Sequence, residues 1–226
     1  KKPEFIFYSK DTAFKNLNSF KIKKNIYKKV KLSHFSSISL TLQPSANTLI
    51  NLIKLLKKNT NSLISIDPNI RPGVIENKKK YLNHFKKFLH YGDIIKMSDE
   101  DYNYVSKKKH DSQIYQWIKT YKISIFILTL GKSGSILYTS KFKIKVNAKK
   151  VVTKDSVGAG DCFIAGIIFY LEKSNNLDLI SIKNISKTDW INGLNFANIV
   201  SAKNCSKEGC DPPAIKDLRK FIKFQK

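Results

Sequence analysis

The stretch PSANTLINLIKLLKKNTNSLISIDP, residues 44–68, decides the fold class. Leu49, Leu52, Ile53 and Leu56 recur at helical spacing behind Pro44, a residue suited to the first turn of a helix. Ser62 to Ile66 follows as an apolar strand that stops at Asp67-Pro68, and Val30 to Phe35 precedes the helix as another strand. These elements make one β-α-β unit. The alternation continues with a helix from about Asn77 to His90, a strand Asp93 to Lys96, helices near Asp99 to Val105 and Ser112 to Thr120, and a strand Ile123 to Leu130. Ser135 to Tyr138 and Phe142 to Val146 read as strands flanking a hairpin. Ala159 to Lys173, Trp190 to Lys203 and Ala214 to Phe224 read as helices, and Phe5 to Tyr8 as a short aromatic strand. Apolar strands alternating with helices predict an α/β protein with a parallel sheet covered on both faces and ligands at the carboxyl ends of its strands.

The chain has 226 residues, 42% hydrophobic and 26% charged, values that exclude wholesale disorder, collagen and coiled coil. No repeat or Gly/Ser linker divides it, so one domain spanning 1–226 is expected. Its longest uncharged apolar run, Ile123 to Leu130, is far shorter than the roughly 20 residues a membrane-spanning helix needs. The 42 Lys plus Arg against 17 Asp plus Glu give a net charge of +25, a field that attracts phosphates, nucleic acid or anionic membranes. Only Arg71 and Arg219 are arginines, so the surface lacks the forked donors that favour base and phosphate recognition. Asn and Ile, whose codons are rich in A and T, abound beside the lysines. We therefore read the charge as composition bias on solvated faces, not as a nucleic-acid site.

Cys162, Cys205 and Cys210 are too few, and too oddly numbered, for a disulfide framework, which suits a reduced cytoplasmic setting. His34, His84, His90 and His110 are dispersed without metal-ligand spacing, so metallohydrolase and cysteine-nucleophile chemistry are set aside.

Chemistry concentrates in DSVGAGDCFIAGI, residues 155–167. Gly158 and Gly160, with only Ala159 between them, leave backbone N–H groups uncovered, and the apolar run that follows places those donors at a helix N-terminus. That is an anion site. Asp161, in the first turn beside it, can accept a proton from an alcohol while the amides hold charge on a transferring phosphoryl group. Read locally, the glycines could equally make a plain turn and Asp161 cap the helix.

In context, Asp155 through Ile168 resembles at each constrained position the C-terminal signature of the pfkB family of carbohydrate kinases. The resemblance implies a ribokinase-like, doubly wound, mostly parallel sheet. Asp67-Pro68-Asn69-Ile70-Arg71-Pro72 is similar to the DPNxRP segment of the fructokinase and 2-keto-3-deoxygluconate kinase branch, which implies that Asn69 and Arg71 lie near the transferred phosphate and the sugar. Ser98 and Asp101 resemble the NxxE element that organises Mg²⁺ and its waters, although Ser98 as a helix cap explains the same residues. The segment around Gly131, Lys132 and Gly134 is similar to the family's nucleotide-side loop. Phe196-Ala197-Asn198, continuing to Gly209, resembles the border of the adenine pocket. Asp155 and the Val157 carbonyl align with positions that hold a monovalent cation, such as K⁺, in some relatives.

The resemblance covers about the last two thirds of a usual family member, and Phe5 to Leu17 resembles a lid-to-core passage. The chain is therefore expected to begin partway through the fold, lacking the N-terminal portion with its sugar-binding glycines. The implied activity is ATP- and Mg²⁺-dependent phosphorylation of a sugar's primary hydroxyl, fructose first, by a protein that is homodimeric at full length. The alternatives are 2-keto-3-deoxygluconate kinase, a truncated inactive kinase relic, and a basic nucleic-acid-binding protein.

Overall fold

Strand β2, Leu63–Asp67, is buried at every position, so both of its faces are covered. That burial is why the segment reads as a continuous apolar run without alternation. The computed structural model describes residue 17 and residues 29–221, which divide into two compact units, Lys1–Phe126 and Ile127–Lys226. The strand expected over Phe5 to Tyr8 lies outside the described residues, as do the lid-to-core passage, apart from Leu17, and the end of the last helix, 222–224.

In the first unit β1, Leu32–Ser36, pairs in parallel with β2, Leu32 opposite Leu63 and Ser36 opposite Asp67. On its other side β2 pairs in parallel with β3, Ile94–Ser98, Ser65 opposite Ile94. Parallel neighbours need crossover connections. The chain supplies α1, Ser45–Asn59, between β1 and β2, and α2, Lys78–Tyr91, between β2 and β3. Helix α1 buries Ala46, Ile50, Ile53 and Leu56, one stripe at helical spacing. Helix α2 buries Tyr81, Phe85, Phe88 and Leu89 and starts where the Asn77 side chain accepts from the Lys80 N–H at 2.9 Å.

Two helices follow β3: α3, Asp99–Val105, and α4, His110–Tyr121. Trp117 on α4 meets Phe85 edge-on at 5.8 Å and lies 6.0 Å from Phe126. The strand read from Ile123 begins two residues later, as β4, Ile125–Thr129. Lys122 ends α4 in the left-handed conformation, φ 57°, and the Ser124 and Ile125 N–H groups both turn back to the Asp93 carbonyl.

In the second unit β4 continues into a tight turn. The hairpin β5, Ser135–Tyr138, and β6, Lys143–Val146, is antiparallel, with Ser135 opposite Val146. Two long helices follow, α5, Ala159–Lys173, and α6, Lys187–Cys205, then a short α7, Ile215–Leu218. Helix α6 starts three residues before the Trp190 read from sequence, because the Ser186 hydroxyl accepts from the Asp189 N–H.

Helices α5 and α6 approach so closely that a Cβ on Gly166 would lie 2.9 Å from the Ala197 Cα. Cys162, Tyr170, Phe196, Val200 and Leu218 form the core around this contact, with Phe169 stacked on Phe196 at 5.6 Å. The contact matters to function because α5 carries the Gly158 turn at its start. Gly166→Ala forces the two backbones apart, and overpacking of this kind costs about 1–3 kcal/mol. Urea unfolding should show a lower midpoint for this variant; an unchanged midpoint would contradict the close packing.

Candidate active site

The Gly158 turn is built by its neighbours in sequence and by α6. Gly158 caps α5 in the left-handed conformation, φ 74°, and the space a side chain there would need is filled by Cys210 Sγ, 2.3 Å from an ideal Cβ. Glycine is required on both counts. The Ala159 N–H folds back to the Ser156 carbonyl at 3.2 Å, and the first intrahelical bond runs from Cys162 N–H to the Gly158 carbonyl at 2.8 Å. Helix geometry gives Gly160 and Asp161 N–H no intrahelical carbonyl. They lie at the positive end of a 15-residue helix, where backbone N–H groups can serve an anion. The Asp161 side chain is exposed beside them.

Long-range hydrogen bonds hold the turn in this shape. Asp155 Oδ1 accepts from the Val157 N–H at 3.0 Å and Oδ2 from the Gly209 N–H at 3.1 Å. The Val157 carbonyl accepts from Asn204 Nδ2 at 2.7 Å, the Ala159 carbonyl accepts from Ser201 Oγ at 2.9 Å, and the Cys205 carbonyl accepts from the Lys154 N–H at 2.9 Å. The Val157 N–H, with those of Ser156 and Gly209, holds the Asp155 carboxyl below its ordinary value despite some desolvation. Burial, with lesser contributions from the charges of Cys210, Asp161 and Cys205, raises the Cys162 thiol to about 11, so it stays protonated at neutral pH.

The remaining residues of this unit that the sequence singled out have structural reasons for their identity. Gly131 and Gly134 have φ of 54° and 92°, and a Cβ on Gly134 would fall 2.0 Å from the Val146 carbonyl oxygen. Lys132 is exposed on the turn between them. Asn198, expected at the adenine border, is buried and donates from Nδ2 to Ser135 Oγ and to the Asn147 carbonyl, both at 3.4 Å. Gly209 is exposed with φ 67°.

The first unit brings together the DPNIRP turn and the start of α3. Asn69 has φ 40° and its N–H donates to Asp67 Oδ1 at 3.3 Å, a conformation that Asn tolerates better than most residues. Arg71 is half-buried and donates from Nη1 to the Ile70 carbonyl at 3.2 Å. Asp101 latches the turn to α3: Oδ1 accepts from the Ile70 N–H at 2.7 Å and Oδ2 from the Ser98 N–H at 3.1 Å, while Ser98 Oγ accepts from the Asp101 N–H at 3.0 Å. Asp101 is thus a buried carboxylate with one backbone donor on each oxygen, and Ser98 and Asp101 together cap α3. One N–H group faces each of the two Asp155 oxygens and the Val157 carbonyl, which leaves every one of these oxygens a further acceptor site.

Sequence reading passed over Lys96, Asp67 and Asn204. Lys96 Nζ lies 2.8 Å from Asp67 Oδ2 with side chains 5% and 1% exposed, a buried pair that joins β3 to the carboxyl end of β2. A lysine inside an otherwise apolar strand was the available signal, because a buried charge needs a partner.

A family model for "pfkB family carbohydrate kinase" matches residues 1–217, and the chain belongs to that family. A fructokinase of Rhizobium leguminosarum bv. trifolii is 33% identical over 161 residues, 71% of this chain and 48% of that protein. Among solved structures, a fructokinase double mutant of Vibrio cholerae O395, in its fructose-, ADP- and potassium-bound form, superposes with a TM-score of 0.70 at 23% identity, covering 88% of this chain and 59% of that one. The ATP-bound fructokinase of Xylella fastidiosa reaches 0.76 at 20% identity over 83% of this chain and 59% of its own. The fold is thus ribokinase-like, and the chain spans about half to two thirds of the length of the curated relatives it matches.

Two expectations follow. Lys96→Met leaves Asp67 charged and unpaired in the interior, which costs about 3–5 kcal/mol; adding Asp67→Asn should return part of that loss in urea unfolding, and full additivity would contradict the pairing. Because the folded state lowers the Asp155 value, the stability it contributes is present above the ordinary carboxylate value and is lost as pH falls through the lowered one. Below pH ~4, thermal melts of the parent protein should therefore fall more steeply with pH than those of Asp155→Asn; parallel curves would contradict the hydrogen-bonded carboxylate.

Proposed function

We propose that the protein is an ATP-dependent sugar kinase that phosphorylates a primary hydroxyl, with fructose as the acceptor. One observation carries this reading: the exposed Asp161 carboxylate stands beside the Gly160 and Asp161 N–H groups at the start of α5, behind the left-handed Gly158. In the reaction the sugar oxygen attacks the γ-phosphorus of ATP, the bond to the bridging oxygen of ADP breaks, and the hydroxyl proton passes to Asp161. The amides face the charge on the transferring group, and the carboxylate returns its proton to solvent. Phosphoryl transfer asks the protein chiefly for position and electrostatics, which suits a site made of backbone donors and one carboxylate.

Arg71 serves as the phosphate clamp, as the resemblance of the DPNIRP turn implies, a guanidinium being suited to a bidentate phosphate contact. Asn69 lies beside it in the same turn. Gly131, Lys132 and Gly134 form the nucleotide-side loop. Mg²⁺ would arrive with ATP and supply neutralisation of phosphate charge, with Ser98 and Asp101 as the residues that would hold it through its waters. Family membership and the fructokinase relatives support this reading, as does the match of one family model to residues 1–217, which favours a single ribokinase-like domain. A homodimer at full length and a cytoplasmic setting complete the proposal. No helix among the described residues is long and apolar enough to cross a membrane.

The test is Asp161→Asn in the full-length protein, assayed with ATP and fructose. Loss of a general base should lower kcat by about 10²–10⁴-fold while the melting temperature holds, since the side chain is exposed. Turnover equal to the parent's would remove Asp161 as the base, and turnover with 2-keto-3-deoxygluconate but not fructose would correct the acceptor.

A further inference from the structure

The three cysteines of the sequence, Cys162, Cys205 and Cys210, all meet at the Gly158 turn. Cys210 Sγ fills the space beside Gly158, 2.3 Å from where a Cβ would stand. Cys162 lies one helical turn into α5, its N–H on the Gly158 carbonyl at 2.8 Å. Side chains on a helix lean toward its N-terminus and lie over the preceding turn, so the Cys162 thiol is aimed back toward Gly158. Cys205 ends α6, where its carbonyl accepts from the Lys154 and Asp155 N–H groups and its thiol is hydrogen-bonded to the Ser201 side chain. Burial is the main cause that raises the Cys162 thiol. Among the charges around it that of Cys210 comes first, ahead of the adjacent Asp161 and of Cys205. Core packing explains Cys162, which is 5% exposed, but not Cys210, which is exposed on the loop after α6.

We propose that Cys162 and Cys210 are a dithiol pair that a small disulfide, such as glutathione disulfide, converts to an intramolecular bond, and that this bond loosens the Gly158 turn. The exposed Cys210 is reached first. Its sulfur attacks one sulfur of the small disulfide, whose S–S bond breaks, and one small thiol leaves with the proton that Cys210 gives up. The Cys162 sulfur then attacks the Cys210 sulfur, and the second small thiol leaves with the Cys162 proton. Two protein thiols are oxidised and one small disulfide is reduced to two thiols. Because Cys162 is protonated at neutral pH, the second step is the slow one.

Both thiols are free in the structure, so bonding requires one of them to move to the other. Cys162 is fixed in the core of α5 and α6, and the exposed Cys210 is the one that shifts, leaving its place against Gly158. Its neighbour Gly209 carries the N–H that serves Asp155 Oδ2, while Asp155 Oδ1 holds the Val157 N–H. Moving residue 210 withdraws the first of these donors and with it a support of the turn. The oxidised protein therefore holds a nucleotide less well. This consequence rests on the kinase reading above, whereas the pairing does not.

The experiment treats the full-length protein with glutathione disulfide, caps the remaining thiols with N-ethylmaleimide and maps the peptides without reductant. The expected product is a cross-linked pair of peptides carrying Cys162 and Cys210. The rise in melting temperature caused by ADP should be largely lost on oxidation and should return with dithiothreitol. In Cys210→Ser, a change at an exposed position, oxidation should leave the ADP response intact, whereas Cys205→Ser should lose it as the parent does. A bond between Cys205 and Cys210, or glutathione left on Cys210 with Cys162 still free, would overturn the pairing. A bond between Cys162 and Cys210 with an unchanged ADP response would overturn the loosening of the turn. No ADP-induced shift in the reduced protein would count against the kinase reading alone, because the peptide map still decides the pair.

Discussion

The arrangement depends on one backbone constraint, the left-handed Gly158 that turns the chain into α5. A residue with a side chain there would meet Cys210 and would sit in a region of backbone space that costs L-residues roughly 1–2 kcal/mol. The turn starts α5 at Ala159, so the Gly160 and Asp161 N–H groups fall in its first turn, with the exposed Asp161 side chain beside them. The supporting bonds follow from the same need. Asp155, Ser201, Asn204 and the Cys205 carbonyl each fix a different peptide of residues 154–159, and α6, which brings three of the four, is held against α5 by the absence of a side chain at Gly166.

The first unit repeats the logic with charged side chains. The carboxyl end of β2 would splay without the Lys96 to Asp67 pair, and the DPNIRP turn would be free to move without the Asp101 latch to Ile70. Arg71 is therefore presented from a turn fixed on both sides. Both units use polar contacts of this kind to hold backbone in place.

How much of this was legible in the sequence depended on the range of the interaction. Residues 44–68 announced a β-α-β unit because helical spacing, Pro44 and the apolar strand are all local signals, and residues 155–167 announced a glycine turn leading into a helix for the same reason. Ser98 and Asp101 show the limit of local reading. Their spacing fits both a capping box and a metal element, and nothing in it foretells the bond that Asp101 makes to the Ile70 N–H, 31 residues away. Asn198, read as part of a nucleotide border, donates to Ser135 and Asn147, partners 63 and 51 residues distant that the spacing does not announce. Asn204 and Lys96 could have been flagged as polar residues in apolar company, but their partners could not be named, since nothing in the spacing of residues 157 and 204 brings them together.

The central claim is that the peptide groups of Gly160 and Asp161 receive the phosphate of ATP. The most direct measurement is a ¹⁵N–¹H correlation titration of the full-length protein with a non-hydrolysable ATP analogue and Mg²⁺. The account predicts that the Gly160 and Asp161 amide resonances move downfield on binding, as N–H groups do when they gain an anionic acceptor. Nucleotide binding that leaves both resonances in place while shifting others would contradict it.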